Sequence, residues 1–275
     1  MAKFAQIILV GCGNMGFAML KGWIDRGAVD PDAVWVVEPS DALRVRAQGQ
    51  KVRAVATALE LPEDLSARVL LFAVKPQIMG SVLPDYADLV ARTNPAIVSI
   101  AAGIAIDRFT QTYGDERAVI RVMPNTPSAI GQGMMVMCAN AQASQAQTDF
   151  VHLLLEASGR VATIDDEALM DAVTGVSGSG PAYLFFMIET LRDAGVAAGL
   201  PEATAHTLAM QTIVGAANYA AAATDDVAQL RKQVTSPNGT TAAALAVLMN
   251  PETGMKPLIR KAVLASRDRS AELGG

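Results

Sequence analysis

Gln6-Ile7-Ile8-Leu9-Val10-Gly11-Cys12-Gly13-Asn14-Met15-Gly16 is the stretch on which the fold turns. A continuous apolar run stops at Gly11, and a helical pattern opens at Asn14. An apolar run without alternation suits a strand buried on both faces of a parallel sheet. The three glycines have the GxGxxG spacing. Gly11 permits a tight turn, Gly13 lets a pyrophosphate approach the backbone, and Gly16 lets the helix lie close to the sheet. The helix N-terminus, beginning with Asn14 and Met15, presents free N–H groups and the positive end of its dipole to an anion. The spacing alone is weak evidence. A strand before it and a helix after it are the context the motif requires. A glycine-rich turn without a ligand is the plainer alternative. About 20 residues beyond the last glycine an acidic residue is expected to meet the ribose hydroxyls of NAD, and Glu38 ends the next apolar run. Taken alone, Glu38 favours NADH over NADPH, because it repels a 2′-phosphate. Arg44 and Arg46 follow in a helical pattern and read as a solvated face.

Outward from this motif, short apolar runs alternate with helical patterns. Strands are expected at Gln6–Val10, Val34–Val37, Val52–Val55, Val69–Ala73, Ala96–Ile100, Ala118–Val122, Met134–Met137 and Val161–Ile164. Helices are expected from Asn14 to Arg26, Asp41 to Gln48 and Ile78 to Ala91. The alternation predicts an α/β fold, a Rossmann-like doubly wound sheet. After residue 164 only helical patterns remain. Pro181 and Pro201 each suit a helix start, and further helices are expected at Val227–Val234, Thr240–Met249 and Lys256–Glu272. The reading is a dinucleotide-binding domain over 1–164 and an all-helical domain over 165–275. Leu184-Phe185-Phe186-Met187-Ile188 makes one helix apolar on more than one face, which needs cover from a partner subunit.

The bulk composition narrows the class. The chain has 275 residues, 51% hydrophobic and 18% charged, with net charge −5. That balance belongs to a globular protein, and the lack of a basic run weighs against nucleic acid. Cys12, Cys138, His152 and His206 are scattered without a CxxC pair, so no metal site is expected. His206 falls in a helix expected to be packed. The apolar run at Ile7–Val10 is short for a secretory leader and no stretch is long enough to span a membrane. The expected location is the cytoplasm.

Three further strand ends carry small or polar residues: Ala73-Val74-Lys75-Pro76, Ala101-Ala102 within Ser99–Gly103, and Asn125 within Met123–Pro127. Ligands of doubly wound sheets bind at the carboxyl ends of strands, so these residues outline a cofactor crevice. Ser177–Tyr183 (SGSGPAY) and Val234–Thr241 (VTSPNGTT) follow. The order AVKP, SIAAG, MPNTP, SGSGPAY, TSPNGTT closely resembles the pyrroline-5-carboxylate reductase family over nearly the whole chain.

That resemblance implies reduction of L-1-pyrroline-5-carboxylate to L-proline by hydride transfer from NAD(P)H, and a homodimer built through the helical domain. It assigns the turn Ser236, Gly239, Thr240 and Thr241 to the substrate. A glycine-containing turn feeding a helix N-terminus can hold a carboxylate through backbone N–H groups. Ser-Pro and Asn-Gly are also ordinary turn formers, and Thr240 an ordinary helix cap. Thr241 is the candidate catalytic residue, its hydroxyl near the ring nitrogen. Many members of the family place a small hydroxyl residue where this chain has Glu38, and an asparagine where it has Ala58. The departure leaves NADP(H) and NAD(H) both open, with Ser40 as a phosphate contact. The competing readings are a non-catalytic NAD(P)H sensor, and a related hydroxyacid or imine reductase with Lys232 as proton donor.

Overall fold

The computed structural model describes residues 4–274. They form two compact units: the chain up to Gly178 together with the segment from Ser266 onward, and Ser179–Ala265. Residues 167–178 are helical and pack with the sheet, where Met170 is fully buried. The change of element type and the break between units therefore fall at different places along the chain.

In the first unit, β1 (Phe4–Val10), β2 (Val34–Val37), β3 (Arg53–Val55), β4 (Ser66–Phe72), β5 (Ala96–Ser99), β6 (Val119–Met123), β7 (Gly133–Ala139) and β8 (Gly159–Thr163) form one sheet. Its order is β3-β2-β1-β4-β5-β6-β7-β8. The strands from β3 through β6 are all parallel. β7 runs antiparallel to β6 and parallel to β8. No local pattern announces this reversal, but its cause is simple. A parallel crossover needs a dozen or more residues, and the link 124–132 holds only a 3-10 turn, Thr126–Ile130.

Helices cover both faces. They are α1 (Asn14–Asp25), α2 (Asp41–Gln48), α3 (Pro76–Val82), α4 (Ala87–Thr93), α5 (Ile106–Tyr113), α6 (Gln145–Glu156) and α7 (Met170–Val173). The helix expected from Ile78 to Ala91 is two, α3 and α4, separated by a 3-10 turn at Leu83–Tyr86. Pro84 sits in that turn and lacks the N–H that a continuous helix would use. Strand residues divide cleanly between two cores. Ile7, Leu9, Val69, Leu71 and Val98 join Met19, Leu20 and Trp23 of α1 and Leu154 and Leu155 of α6. Ile8, Val10, Leu70, Phe72 and Ile97 join Met79, Leu83, Leu89 and Phe109 on the other face. Each fully buried aliphatic side chain contributes about 1.5–3 kcal/mol, so burial on both faces fixes the register that carries the strand ends.

The second unit contains α8 (Gly180–Ala197), α9 (Glu202–Ala222), α10 (Val227–Gln233), α11 (Thr240–Leu248) and α12 (Met255–Gly274) as far as Ala265. α8 and α9 approach closely through small residues. A Cβ on Gly195 would lie 3.1 Å from that of Ala205, and Ala205 and Ala209 are buried. Asp226 caps α10 by accepting from the Ala228 N–H at 2.8 Å. Much apolar surface stays uncovered in the single chain: Leu184, Phe185, Phe186, Leu208, Val247 and Leu258 are each more than half exposed. His206, expected to be packed, is exposed on α9. No helix among the described residues is long and apolar enough to cross a membrane.

Candidate active site

The strand order reverses between β1 and β4, which neighbour each other while the chain runs outward on either side. That switch point is where doubly wound sheets open a crevice. Backbone bonds continue the ladder past the strand ends and hold the loops there. Gly11 N–H donates to Val37 O at 2.8 Å, and Ala73 N–H to Val10 O at 2.8 Å.

The three loop glycines have different reasons to be glycine. Gly11 has φ +87°, and a Cβ there would sit 2.9 Å from Val74 Cγ1 and 3.1 Å from the Ala73 carbonyl. At Gly16 a Cβ would meet Gly11 O at 2.5 Å and the Ala73 Cβ at 3.1 Å, so helix and loop touch. At Gly13 a Cβ would meet nothing within 4 Å. Gly13 is the N-cap of α1, and no side chain caps that helix end. The loop therefore has an open approach beside uncapped N–H groups of Asn14 and Met15, which fits a pyrophosphate.

Glu38 lies at the end of β2 and is 6% exposed. Its Oε2 accepts from Cys12 N–H at 2.8 Å and its Oε1 from Ser40 N–H at 2.9 Å. The carboxylate thus braces the phosphate loop. Arg44 and Arg46, read from sequence as a solvated face, are tied down instead. Arg46 Nη2 donates to the Cys12 and Gly13 carbonyls at 2.7 and 3.1 Å, and its guanidinium stacks 4.2 Å from the Phe17 ring centre. Arg44 Nη1 donates to the Glu38 and Pro39 carbonyls at 2.8 and 2.7 Å, and Arg44 pairs with Asp41. Burial pushes the Cys12 thiol up to about 11; Arg46 opposes the shift and Glu38 adds to it.

The remaining strand ends border the same edge. Ala73 and Val74 pack against the loop glycines. Lys75 is exposed and is the N-cap of α3, with Pro76 in the first turn. Ala101 is buried and Ala102 half-buried after β5, and Ala101 N–H donates to the Ser99 hydroxyl at 3.3 Å. The Asn125 carboxamide is engaged at both ends. Its Nδ2 donates to Ser177 O at 3.1 Å and its Oδ1 accepts from Met134 N–H at 2.9 Å. Asn125 thereby ties β6 and β7 to a π-helical turn, Thr174–Gly178, a device that often marks functional sites. The sequence reading also missed Arg121 on β6. It is 6% exposed and bonds Glu167 Oε1 at 2.8 Å, while the same oxygen accepts from Ile106 N–H at the start of α5. Asp171 lies 3.8 Å from Arg121 and accepts from Ser270 Oγ at 2.7 Å.

In the second unit, Ser236-Pro237-Asn238-Gly239 is a turn closed by Gly239 N–H to Ser236 O at 3.1 Å. Asn238 has φ +58°, and Pro followed by a positive-φ residue is the type II pattern. Gly239, not Thr240, is the N-cap of α11, and no side chain caps the helix. A Cβ on Gly239 would lie 2.3 Å from Ser236 Oγ, so glycine lets the serine hydroxyl fold over the turn. Thr240 is exposed and Thr241 half-buried at the first helical positions. The first-turn N–H groups and three hydroxyls make this helix start able to receive a carboxylate.

The first unit thus defines an oxidoreductase-type dinucleotide-binding fold with a loop fitted to a pyrophosphate. Residues 6–103 match the family model described as NADP oxidoreductase coenzyme F420-dependent, and residues 167–273 match pyrroline-5-carboxylate reductase dimerisation. The pyrroline-5-carboxylate reductase of a Synechocystis strain is 41% identical over 270 residues, 98% of each chain. That of Pisum sativum is 38% identical over 96% of this chain and 94% of its own. The chain belongs to the pyrroline-5-carboxylate reductase family. The solved reductase from Coxiella burnetii superimposes with TM-score 0.91 at 31% identity, covering 98% of this chain and 99% of that one. One from Plasmodium falciparum with NADP bound has TM-score 0.84 at 29% identity, covering 98% of each. Prephenate dehydrogenase from Aquifex aeolicus, at 11% identity and TM-score 0.54 over 98% of this chain and 86% of that one, shares the fold alone.

Proposed function

We propose that the protein reduces L-1-pyrroline-5-carboxylate to L-proline with NAD(P)H, as a homodimer and in the cytoplasm. The observation that carries this reading is the match to pyrroline-5-carboxylate reductases along 98% of the chain, which includes both the phosphate loop and the 236–241 turn. The family model described as dimerisation over 167–273 and the uncovered apolar side chains of α8 support a second copy as partner. Cys12 and Cys138 are buried and unpaired, in keeping with a reducing compartment.

When bound, the nicotinamide supplies the hydride that the imine carbon takes up. The chain's own residues bind, orient and exclude water. In this assignment residues 1–164 carry the cofactor and 165–275 carry substrate and dimer contacts. Gly11, Gly13, Asn14, Met15 and Gly16 hold the pyrophosphate; Glu38 and Ser40 meet the adenosine ribose; Ala73 to Pro76, Ala101, Ala102 and Asn125 border the rest. Ser236, Gly239, Thr240 and Thr241 hold the substrate carboxylate through α11 N–H groups and hydroxyls. Thr241 is the proposed catalytic residue: its hydroxyl bonds the ring nitrogen of the protonated imine, which keeps its proton and becomes an amine as the carbon takes the hydride. An arginine is unnecessary, because the helix end carries partial positive charge. The test is a spectrophotometric assay of purified protein with pyrroline-5-carboxylate and each reduced cofactor. Substrate-dependent oxidation supports the reading; cofactor binding without turnover rejects it in favour of a sensor or a related reductase for another substrate.

A further inference from the structure

We infer that the protein selects NADH over NADPH and that Glu38 sets the selectivity. This inference rests on the reductase reading above. A carboxylate is an acceptor with room for about four hydrogen bonds. Glu38 already accepts two, from Cys12 N–H and Ser40 N–H. Its remaining capacity matches two ribose hydroxyls, both donors. A 2′-phosphate instead brings about −1.5 to −2 charges and only acceptor oxygens, so it meets like charge where it needs donors.

A 2′-phosphate would then have to find its donors nearby, and the backbone N–H groups around Glu38 and the bonded Nη atoms of Arg44 and Arg46 are already engaged. The Cys12 and Ser40 N–H groups point at Glu38 itself. Arg46 spends Nη2 on two loop carbonyls and stacks on Phe17. Arg44 holds the Glu38 and Pro39 carbonyls and pairs with Asp41. The first turn of α2 has no side-chain cap but carries Asp41, whose negative charge opposes a phosphate at that helix end. Arg46 Nε has no partner but is buried, and the Ser40 side chain makes no capping bond. The two bonds to backbone N–H groups also hold the Glu38 carboxylate in place, so it cannot swing aside as an exposed glutamate would.

The test is equilibrium binding of NADH and of NADPH to the full-length protein without substrate, followed by nicotinamide fluorescence. NADH is expected to bind at least tenfold more tightly; equal or tighter NADPH binding overturns the inference. In Glu38→Ser the ratio should fall to threefold or less through a gain in NADPH affinity; an unchanged ratio overturns the role of Glu38. Should the variant lose both cofactors through collapse of the loop, wild-type competition decides. ADP-ribose should displace NADH at least tenfold more effectively than 2′-phospho-ADP-ribose, and parity rejects the proposal. These titrations involve no turnover. Failure to reduce pyrroline-5-carboxylate would remove the reductase reading alone, and NADPH-preferring binding would remove this inference alone.

Discussion

Gly13→Ala adds one methyl group to the phosphate loop at the point where a Cβ would meet nothing within 4 Å. The backbone there, φ −62° and ψ −163°, is open to any residue, so no strain is introduced. Removing glycine flexibility from the unfolded chain stabilises by about 0.4–1 kcal/mol. Alanine is a poorer N-cap than glycine, at a cost of roughly the same size. The two effects cancel to within about 0.5 kcal/mol, or a degree or two in Tm. Binding should respond very differently. The methyl fills the space through which a pyrophosphate reaches the α1 N–H groups, and one hydrogen bond to a charged oxygen is worth about 1.5–3 kcal/mol. The affinity for NADH should fall roughly 10- to 150-fold. Thermal melts and cofactor titrations on the same preparation read the two quantities separately. Gly16→Ala is the control: its Cβ would lie 2.5 Å from Gly11 O, so that variant should melt several degrees lower, since overpacking costs about 1–3 kcal/mol. Unchanged NADH affinity in Gly13→Ala would refute the loop assignment.

Arg121→Met strips Glu167 and Asp171 of their buried partner. Removing one member of a buried pair costs about 3–5 kcal/mol; with Glu167 and Asp171 side chains 26% and 28% exposed, solvent reduces this to about 2 kcal/mol, readable as a lower denaturant midpoint. Thr241→Ala should lower kcat/KM for pyrroline-5-carboxylate at least tenfold with NADH affinity unchanged, and wild-type kinetics would remove Thr241 from the mechanism. Phe186→Asp places a charge on a side chain 69% exposed in the single chain and should shift the dimer toward monomer in analytical ultracentrifugation. The Cys12 thiol, raised from 9.0 to about 11, makes the folded state hold a proton the unfolded chain releases. Its contribution, roughly 3 kcal/mol, is intact below pH 9.0 and lost as pH rises through about 11; Cys12→Ala should flatten this alkaline fall in the denaturation midpoint.

Continuous apolar runs made most of the sheet legible, because strands buried on both faces must be apolar throughout. The boundaries of β2 and α2 coincide with those expected. α6 escaped notice although Ser144 and Gln147 form a capping box at its start, a signal present in the sequence. α5 is shorter and takes its N-terminal partner from Glu167, 61 residues away, which no local pattern announces. Arg121 was legible as an oddity, a charge inside the apolar run Val119-Ile120-Arg121-Val122, but its partner lies 46 residues on. Arg46 looked solvated because a helical pattern records periodicity and not what lies opposite; Phe17 and the loop carbonyls come from another element. At the 236–241 turn the residue types were readable, yet the cap is Gly239 rather than Thr240, since caps are fixed by one residue's dihedrals.

The most direct test of the reductase account is to follow the transferred hydrogen. The purified protein is incubated with pyrroline-5-carboxylate and NADH carrying deuterium at the transferable position of the nicotinamide, and the product is analysed by mass spectrometry. The account predicts L-proline with one deuterium on the ring carbon that was the imine carbon. Unlabelled proline, or deuterium consumed with no proline formed, would contradict it.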